Sequence, residues 1–322
     1  MFGTIVQRTA VALGLRRPPA FVIDAPDYTY LSSGVRCLHA LCDRLNALGI
    51  SAAVTARRVA PGSPTTRINR KALRLAPRTL DQSVVIYPEI TVGNPLGAKH
   101  VVRYLLNKPG FFNARAPKSY GERDYFLHFA EEFVPAGLKS RLLRLPLVDT
   151  SVFFPPQPGC ERSGFLLYSH RYRPDRDQIP DWVRPVTMVS SNAPRDPPTL
   201  ANLYRQSQAL IVGERTAAVS EALHCHCPVV LLPHSGFDHA PVVSSYGDCG
   251  LVLKFEPDEL VRARESAAAF PARYAARSED IDGRIIEVVA DVGQYFNLTA
   301  LQAARNNHLR ATPEKSSTNA SV

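Results

Sequence analysis

AFVIDAPDYTYLSSGVRCLHALCDRLNALGISAAV, residues 20–54, is the stretch from which the architecture can be read. It opens with a short apolar run, Ala20 to Asp24, closed by Ala25-Pro26-Asp27, which is the pattern of a buried strand ending in a turn. After Ser32-Ser33-Gly34, the apolar residues Val35, Leu38, Leu41, Cys42, Leu45 and Leu48 recur at steps of three and four, the period of a helix with one buried face. Gly49 ends that helix, and Ile50 to Val54 reads as a second strand. A strand, helix and strand joined by a crossover of this length predict two parallel neighbours in one sheet.

The alternation continues outward. A basic, Pro-containing loop runs from Arg57 to Arg78, and Ser83 to Tyr87 is the next strand, closed by Pro88-Glu89. Ile90 to Pro95 reads as a loop, Leu96 to Asn107 as a helix stopping at Lys108-Pro109-Gly110, and Tyr125 to Phe129 as a further strand. Leu145 to Pro156 is punctuated by Pro, lacks periodicity and reads as a linker. Beyond it come strands at Gly164–Tyr168, Val186–Val189, Ala209–Val212 and Pro228–Leu232, with helices at Thr199–Gln206 and Ala217–His224. Residues 257–310 read as mostly helical and 311–322 as a polar tail. The expected fold is α/β, with two Rossmann-like doubly wound domains facing across a cleft, one over 1–145 and one over 146–310.

Composition agrees with two ordinary cores. The chain has 322 residues, 45% hydrophobic and 21% charged, which excludes a disordered or fibrous protein. No apolar run approaches the roughly 20 residues needed to span a bilayer. The opening MFGTIVQRTAVALGLRRPPA is interrupted by Arg8 and lacks a small-residue cleavage site, so it makes a poor secretory signal. Six cysteines are too sparse for a disulfide framework, and a cytoplasmic protein with reduced thiols is expected. The net charge of +9 is lopsided: residues 1–150 carry 21 Lys+Arg against 10 Asp+Glu, and residues 151–322 carry 17 against 19. The basic half attracts phosphates, whether on a nucleic acid, an anionic membrane or a charged substrate.

Ligands of open α/β sheets bind beyond the carboxyl ends of the strands. That rule selects Ser33-Gly34 ahead of the first long helix, which can serve as an N-cap or an anion site. It also selects Gly213-Glu214-Arg215-Thr216 with Glu221 two helical turns on. Carboxylates placed there suit sugar hydroxyls, and otherwise are solvated helix charges. Glu89 and Asn94 follow the third strand of the first half; Glu89 reads either as a turn carboxylate or as a group that orients or deprotonates a substrate. His224-Cys225-His226-Cys227 lacks metal-ligand spacing and reads as core. Asp175-Arg176-Asp177 reads as a solvated loop, and Asn297-Leu298-Thr299 fits a glycosylation sequon that is irrelevant inside a cell.

Residues 199–232, TLANLYRQSQALIVGERTAAVSEALHCHCPVVLLP, resemble the donor-nucleotide region of GT-B glycosyltransferases, specifically the retaining, group 1-like branch. The resemblance rests on Leu200 to Tyr204, Glu221-Ala222-Leu223 and Pro228-Val229-Val230, and on the interdomain Val148-Asp149 to Phe153-Phe154-Pro155. Three departures stand out. The two family glutamates are one residue further apart, which places the first at Gly213; Cys227 stands where a Gly is usual; and no lysine follows Arg171 and Arg173.

What the resemblance implies is transfer of a sugar from a nucleotide-diphosphate donor to a glycan or lipid-linked acceptor, in surface polysaccharide synthesis. No dedicated metal and no cofactor are implied, the nucleotide-sugar being substrate. Arg171, Arg173 and the Thr216 backbone would hold the diphosphate, Glu221 the ribose and Glu214 the sugar. Ser33, Gly34, Asn94 and the candidate base Glu89 would face the acceptor. The alternatives are an inactive glycosyltransferase-like subunit, kept open by the missing lysine, and a nucleic-acid-binding protein. Against the last, the arginines are scattered and no aromatic-rich binding motif is present, so no nucleic acid is expected. The basic first half is expected to bring the protein to the inner face of an anionic membrane through Arg57, Arg58, Arg67 and Arg70. A short interfacial helix carrying Phe2, Ile5, Val6, Val11 and Leu13 would assist.

Overall fold

The computed structural model describes residues 18–75, 80–190, 195–232, 243 and 247–303. The expected interfacial helix near the N-terminus and the polar tail lie outside these residues. No helix among them is long and apolar enough to cross a membrane.

The chain divides into two compact units. Of the described residues, the first takes in those up to Thr29, Gly34–Leu145 and those from Asp280 onward; the second takes in Tyr30–Ser33 and those of Pro146–Glu279.

The first unit is built on six parallel strands: β1 (Phe21–Ile23), β2 (Ala52–Val54), β3 (Val84–Pro88), β4 (His100–Leu105), β5 (Tyr125–His128) and β6 (Arg141–Leu142), in the order β2-β1-β3-β4-β5-β6. Helix α1 (Ser33–Ala47) joins β1 to β2 and buries Leu38, Leu41, Cys42 and Leu45. It ends where Gly49 takes a φ of +75°, a conformation that side chains with a Cβ resist. β1 pairs with β2 on one side (Phe21↔Ala52) and β3 on the other (Phe21↔Val84). The direction of winding therefore reverses at β1, and open α/β sheets hold ligands at such a reversal. Within the basic loop a short helix forms, α2 (Arg70–Leu75).

The second unit has five parallel strands: β7 (Phe165–Tyr168), β8 (Val186–Val189), β9 (Ala209–Val212), β10 (Val229–Leu231) and β11 (Leu251–Val252), ordered β11-β10-β9-β7-β8. Here the reversal falls between β7 and β9. Leu210 and Val212 of β9 enter one core layer with Tyr204, Leu223 and Phe270, while Ala209 and Ile211 enter the opposite layer with Leu167 and Val252. Both faces are covered, which is why β9 is apolar at every position. Helices α3 (Pro197–Gln206) and α4 (Ala218–His224) lie on the first face, and α5 (Pro257–Ser266) packs its Leu260 and Ala263 into the second. α6 (Phe270–Ser278) completes the unit.

Two sequence expectations are corrected. The segment Leu96–Asn107 is not a helix: His100–Leu105 is β4, paired in parallel with β3 and β5 (Val84↔His100, Val102↔Tyr125). All six of its residues are buried, and Val101, Val102 and Tyr104 favour extended backbone between two neighbouring strands. The second domain also does not continue to residue 310. Helix α7 (Ile281–Tyr295) returns to the first unit, where Arg44 meets Asp282 at 3.0 Å and Arg141 meets Glu287 at 2.7 Å. Its buried Ile285, Ile286, Val289 and Val292 supply the packing face. α8 (Thr299–Gln302) follows it.

Candidate active site

In the second unit the chain leaves β7 at Ser169 and leaves β9 at Gly213, on the two sides of the winding reversal. Glu214 ties these two ends together. Its Oε1 accepts the backbone N–H groups of His170 (2.7 Å) and Arg171 (2.9 Å), and its Oε2 accepts Arg171 Nε at 2.6 Å. Arg171 Nη2 donates onward to the Arg215 carbonyl at 3.0 Å. Burial to 7% exposure opposes ionisation of Glu214, but the Arg171 N–H, its guanidinium and the His170 N–H outweigh it and hold the carboxyl below its ordinary value. The loop is fixed further by Ser169 Oγ, which donates to the Tyr172 carbonyl at 2.7 Å, and by the Tyr172 hydroxyl, which donates to Gln178.

The position next to Glu214 is closed to a side chain. A Cβ on Gly213 would stand 2.1 Å from Cδ1 of Tyr172, so the ring occupies the space a side chain would need. The acidic residue falls at 214, where it engages the loop after β7. Arg173 is exposed, and no described residue pairs with it. Thr216 is half-buried, and its hydroxyl accepts Ala218 N–H at 3.3 Å, capping a helix of only seven residues. Glu221 is buried at 3% exposure within α4. The neighbouring Tyr204 hydroxyl is buried without a hydrogen-bond partner among the described residues, and burial and the nearby Glu221 carboxylate raise it well above its ordinary range.

In the first unit, Glu89 follows β3 and is 4% exposed. The Leu106 N–H donates to its Oε2 at 3.0 Å, and the Tyr120 hydroxyl donates to its backbone carbonyl at 2.6 Å. Burial dominates over that hydrogen bond and pushes its carboxyl up to about 7. Asn94 turns inward on its own loop: its Oδ1 accepts from the Tyr87 hydroxyl (2.9 Å) and Ala98 N–H (3.0 Å), and its Nδ2 donates to the Ala98 carbonyl (2.7 Å). That amide shapes the loop and has little left for a substrate. Ser33 and Gly34 are the first two residues of α1, with Ser33 exposed; Ser33, expected in the first domain, groups with the second unit and Gly34 with the first.

Sequence reasoning missed the framework beneath Glu89. Arg103, 1% exposed, donates to Asp124 (2.7 Å), Thr91 O (3.2 Å) and Gly93 O (2.7 Å), with the Tyr87 and Tyr120 rings 5.1 and 4.9 Å from its guanidinium carbon. No local period announces a buried arginine inside a strand. A second omission is the open basin of about 1660 Å³ beyond the carboxyl ends of β1, β2 and β3. Its signal was available in the basic run from Arg67 to Arg74.

The remaining clusters are structural. His224 hydrogen-bonds the Ser220 carbonyl through Nδ1 at 2.7 Å and packs edge-on against Phe270 and Tyr274. Cys225 and Cys227 are buried, with thiols pushed up to about 12 by that burial. Asp175 and Asp177 are exposed. Among the described residues no group of three or more His, Cys, Asp or Glu could hold a metal ion.

No family model matches the chain, and no curated protein matches it. Its path is similar to several solved structures. WaaG, a glycosyltransferase involved in lipopolysaccharide biosynthesis, is 11% identical over 91% of this chain and 99% of its own, with a TM-score of 0.48. HepE from Anabaena, solved in complex with UDP, is 11% identical over 90% and 100%, with a TM-score of 0.44. CalG4, the calicheamicin glycosyltransferase, is 17% identical over 88% and 100%, with a TM-score of 0.38.

Proposed function

We propose that this protein is a glycosyltransferase whose second unit holds a nucleotide-diphosphate sugar and whose first unit holds the acceptor. The observation that carries the reading is the Arg171–Glu214 clasp at the winding reversal between β7 and β9, the place where doubly wound sheets receive nucleotides. The clasp fixes a rigid loop at the carboxyl edge of the sheet, and Arg173, two residues on, remains exposed for a diphosphate. In the reaction the bond from the sugar's anomeric carbon to the diphosphate breaks, and a bond to the acceptor hydroxyl forms. Arg173 and the outer face of Arg171 offset the charge developing on the leaving diphosphate. Glu89 takes the acceptor proton, because a carboxyl titrating near 7 can both accept and release one at neutral pH. Glu221 receives the ribose hydroxyls, and Glu214 acts through Arg171 as a positioning residue.

The acceptor is a glycan or a lipid-linked glycan of a surface polysaccharide, reached at the inner face of a membrane. The test is a panel of nucleoside diphosphates and nucleotide-sugars, followed by calorimetric binding and by mass spectrometry of transfer or hydrolysis products. Binding of one donor with turnover is expected; failure of every nucleotide to bind overturns the reading. One observation favours a second reading, a nucleotide-binding subunit without activity: both Glu214 oxygens are committed to the β7 loop. Tight binding with no turnover on any acceptor would select it.

A further inference from the structure

The basin in the first unit has a chemistry of its own. It lies beyond the carboxyl ends of β1, β2 and β3, at the winding reversal of that sheet, and encloses about 1660 Å³. Two carboxylates line it, and both are already engaged. Asp24 accepts Arg70 Nε (2.7 Å), Arg70 Nη2 (2.9 Å) and the Thr55 hydroxyl (2.8 Å). Asp27 accepts the Arg57 N–H at 2.7 Å and Arg58 Nε at 3.1 Å. Neither is left to cancel the other cations of the wall, Arg67, Lys71 and Arg74. Arg67 anchors one amino group, Nη1, on the Arg57 carbonyl at 2.8 Å, which keeps the guanidinium in place, and no hydrogen bond joins its Nε or Nη2 to a described residue. Lys71 and Arg74 are exposed and three residues apart on α2, so they project from the same helix face. Among the described residues no aromatic side chain lines the basin, so they offer a nucleobase no ring to stack on.

We propose that this basin is a binding site for a phosphate ester, a phosphomonoester or diphosphate, held by Arg67, Lys71 and Arg74. A doubly charged group with several acceptor oxygens suits guanidinium and ammonium donors that line one basin better than a single carboxylate does. The site stands on the basin alone. Identifying its occupant as a phosphate-bearing acceptor rests on the glycosyltransferase reading above.

The experiment is calorimetric titration of the full chain with pyrophosphate at low salt. It compares wild type, the triple variant Arg67→Gln/Lys71→Gln/Arg74→Gln, Arg173→Gln in the second unit, and Lys99→Gln before β4 as a surface control. The proposal expects a binding component that weakens about tenfold or more in the triple variant, since several charge-assisted bonds are lost, and that persists in Lys99→Gln; Arg173→Gln removes only a separate component at the donor site. Equal binding by the triple variant, loss confined to Arg173→Gln, or no pyrophosphate binding by wild type overturns it. Co-sedimentation with phosphatidate vesicles, with and without competing pyrophosphate, then separates a lipid headgroup from a soluble ester as the source. Nucleotide-sugar binding is measured on the same triple variant. If it persists there while pyrophosphate binding is lost, the basin and the donor site are distinct. If no protein binds nucleotide but the triple variant alone loses pyrophosphate, the glycosyltransferase reading fails and the basin stands.

Discussion

Arg171 and Glu214 meet at 2.6 Å across the ends of β7 and β9, and the same carboxylate also caps the Arg171 and His170 backbone N–H groups. A carboxylate with three donors on it is part of the scaffold. Glu214→Ala leaves two backbone N–H groups and a partly buried guanidinium without their acceptor, and should cost about 2–3 kcal/mol by urea denaturation. The sign with pH follows from the lowered carboxyl. Its contribution is present above its ordinary value of 4.5 and fades as pH falls below it. The gap between wild type and Glu214→Ala should therefore narrow in acid. A constant gap down to low pH would show that the ion pair is not its source.

Arg173 and Arg171 should separate by what they change. Arg173→Gln removes an exposed cation with no described partner, so melting should stay put while the KM for the nucleotide-sugar rises about tenfold, one charge-assisted contact being lost. Arg171→Gln breaks the clasp and should lower both stability and kcat. Identical kinetic effects with unchanged melting in both variants would contradict this division.

Glu89 offers the clearest pH signature. Its carboxyl is raised from 4.5 to about 7 by burial, so the folded state holds its proton through a range where the unfolded state has released it. Stability is then penalised progressively as pH rises from 4.5 through 7. Glu89→Gln should stabilise the fold at pH about 8, by about 3 kcal/mol at most, and make no difference in acid. If Glu89 also takes the acceptor proton, the rate should climb along a limb centred near 7, and that limb should vanish in Glu89→Gln. Loss of rate without loss of the limb would make Glu89 a structural carboxyl.

Gly213 tests the packing beside Glu214. A Cβ at this position would approach the Tyr172 ring to 2.1 Å, so Gly213→Ala should cost about 1–3 kcal/mol, as overpacking does. Tyr172→Ala should remove most of that added cost in a double-mutant cycle. Additive losses would mean that the ring is not the obstacle.

Much of the fold was legible because it is written locally. β1, α1 and β2 announce themselves by an apolar run, a three-and-four period and the turn at Gly49, all within 35 consecutive residues. β9 and β10 were equally plain, since strands covered on both faces are continuously apolar. The segment holding β4 misled because its apolar spacing also suits a helix. Only flanking strands β3 and β5, which bury all six residues, decide for the extended form. α7 was legible as a helix but not as part of the first unit, because the arginines that its acidic residues meet, Arg44 and Arg141, lie more than a hundred residues away in sequence.

The candidate site divides in the same way. By itself the sequence determined the parallel α/β class, and placed Glu89 and Glu214 just past strand ends, because strand ends are marked by nearby turn residues. Only tertiary structure decided what those carboxyls do. Glu214 is ionised and committed because β7 brings Arg171 to it from 43 residues away. Glu89 is pushed up to about 7 because burial outweighs the N–H that Leu106, just past β4, donates to it. Asn94 is spent on Tyr87 and Ala98. Secondary structure follows from neighbours along the chain, but protonation and hydrogen-bond commitment follow from neighbours in space, and those are set only when the sheet assembles.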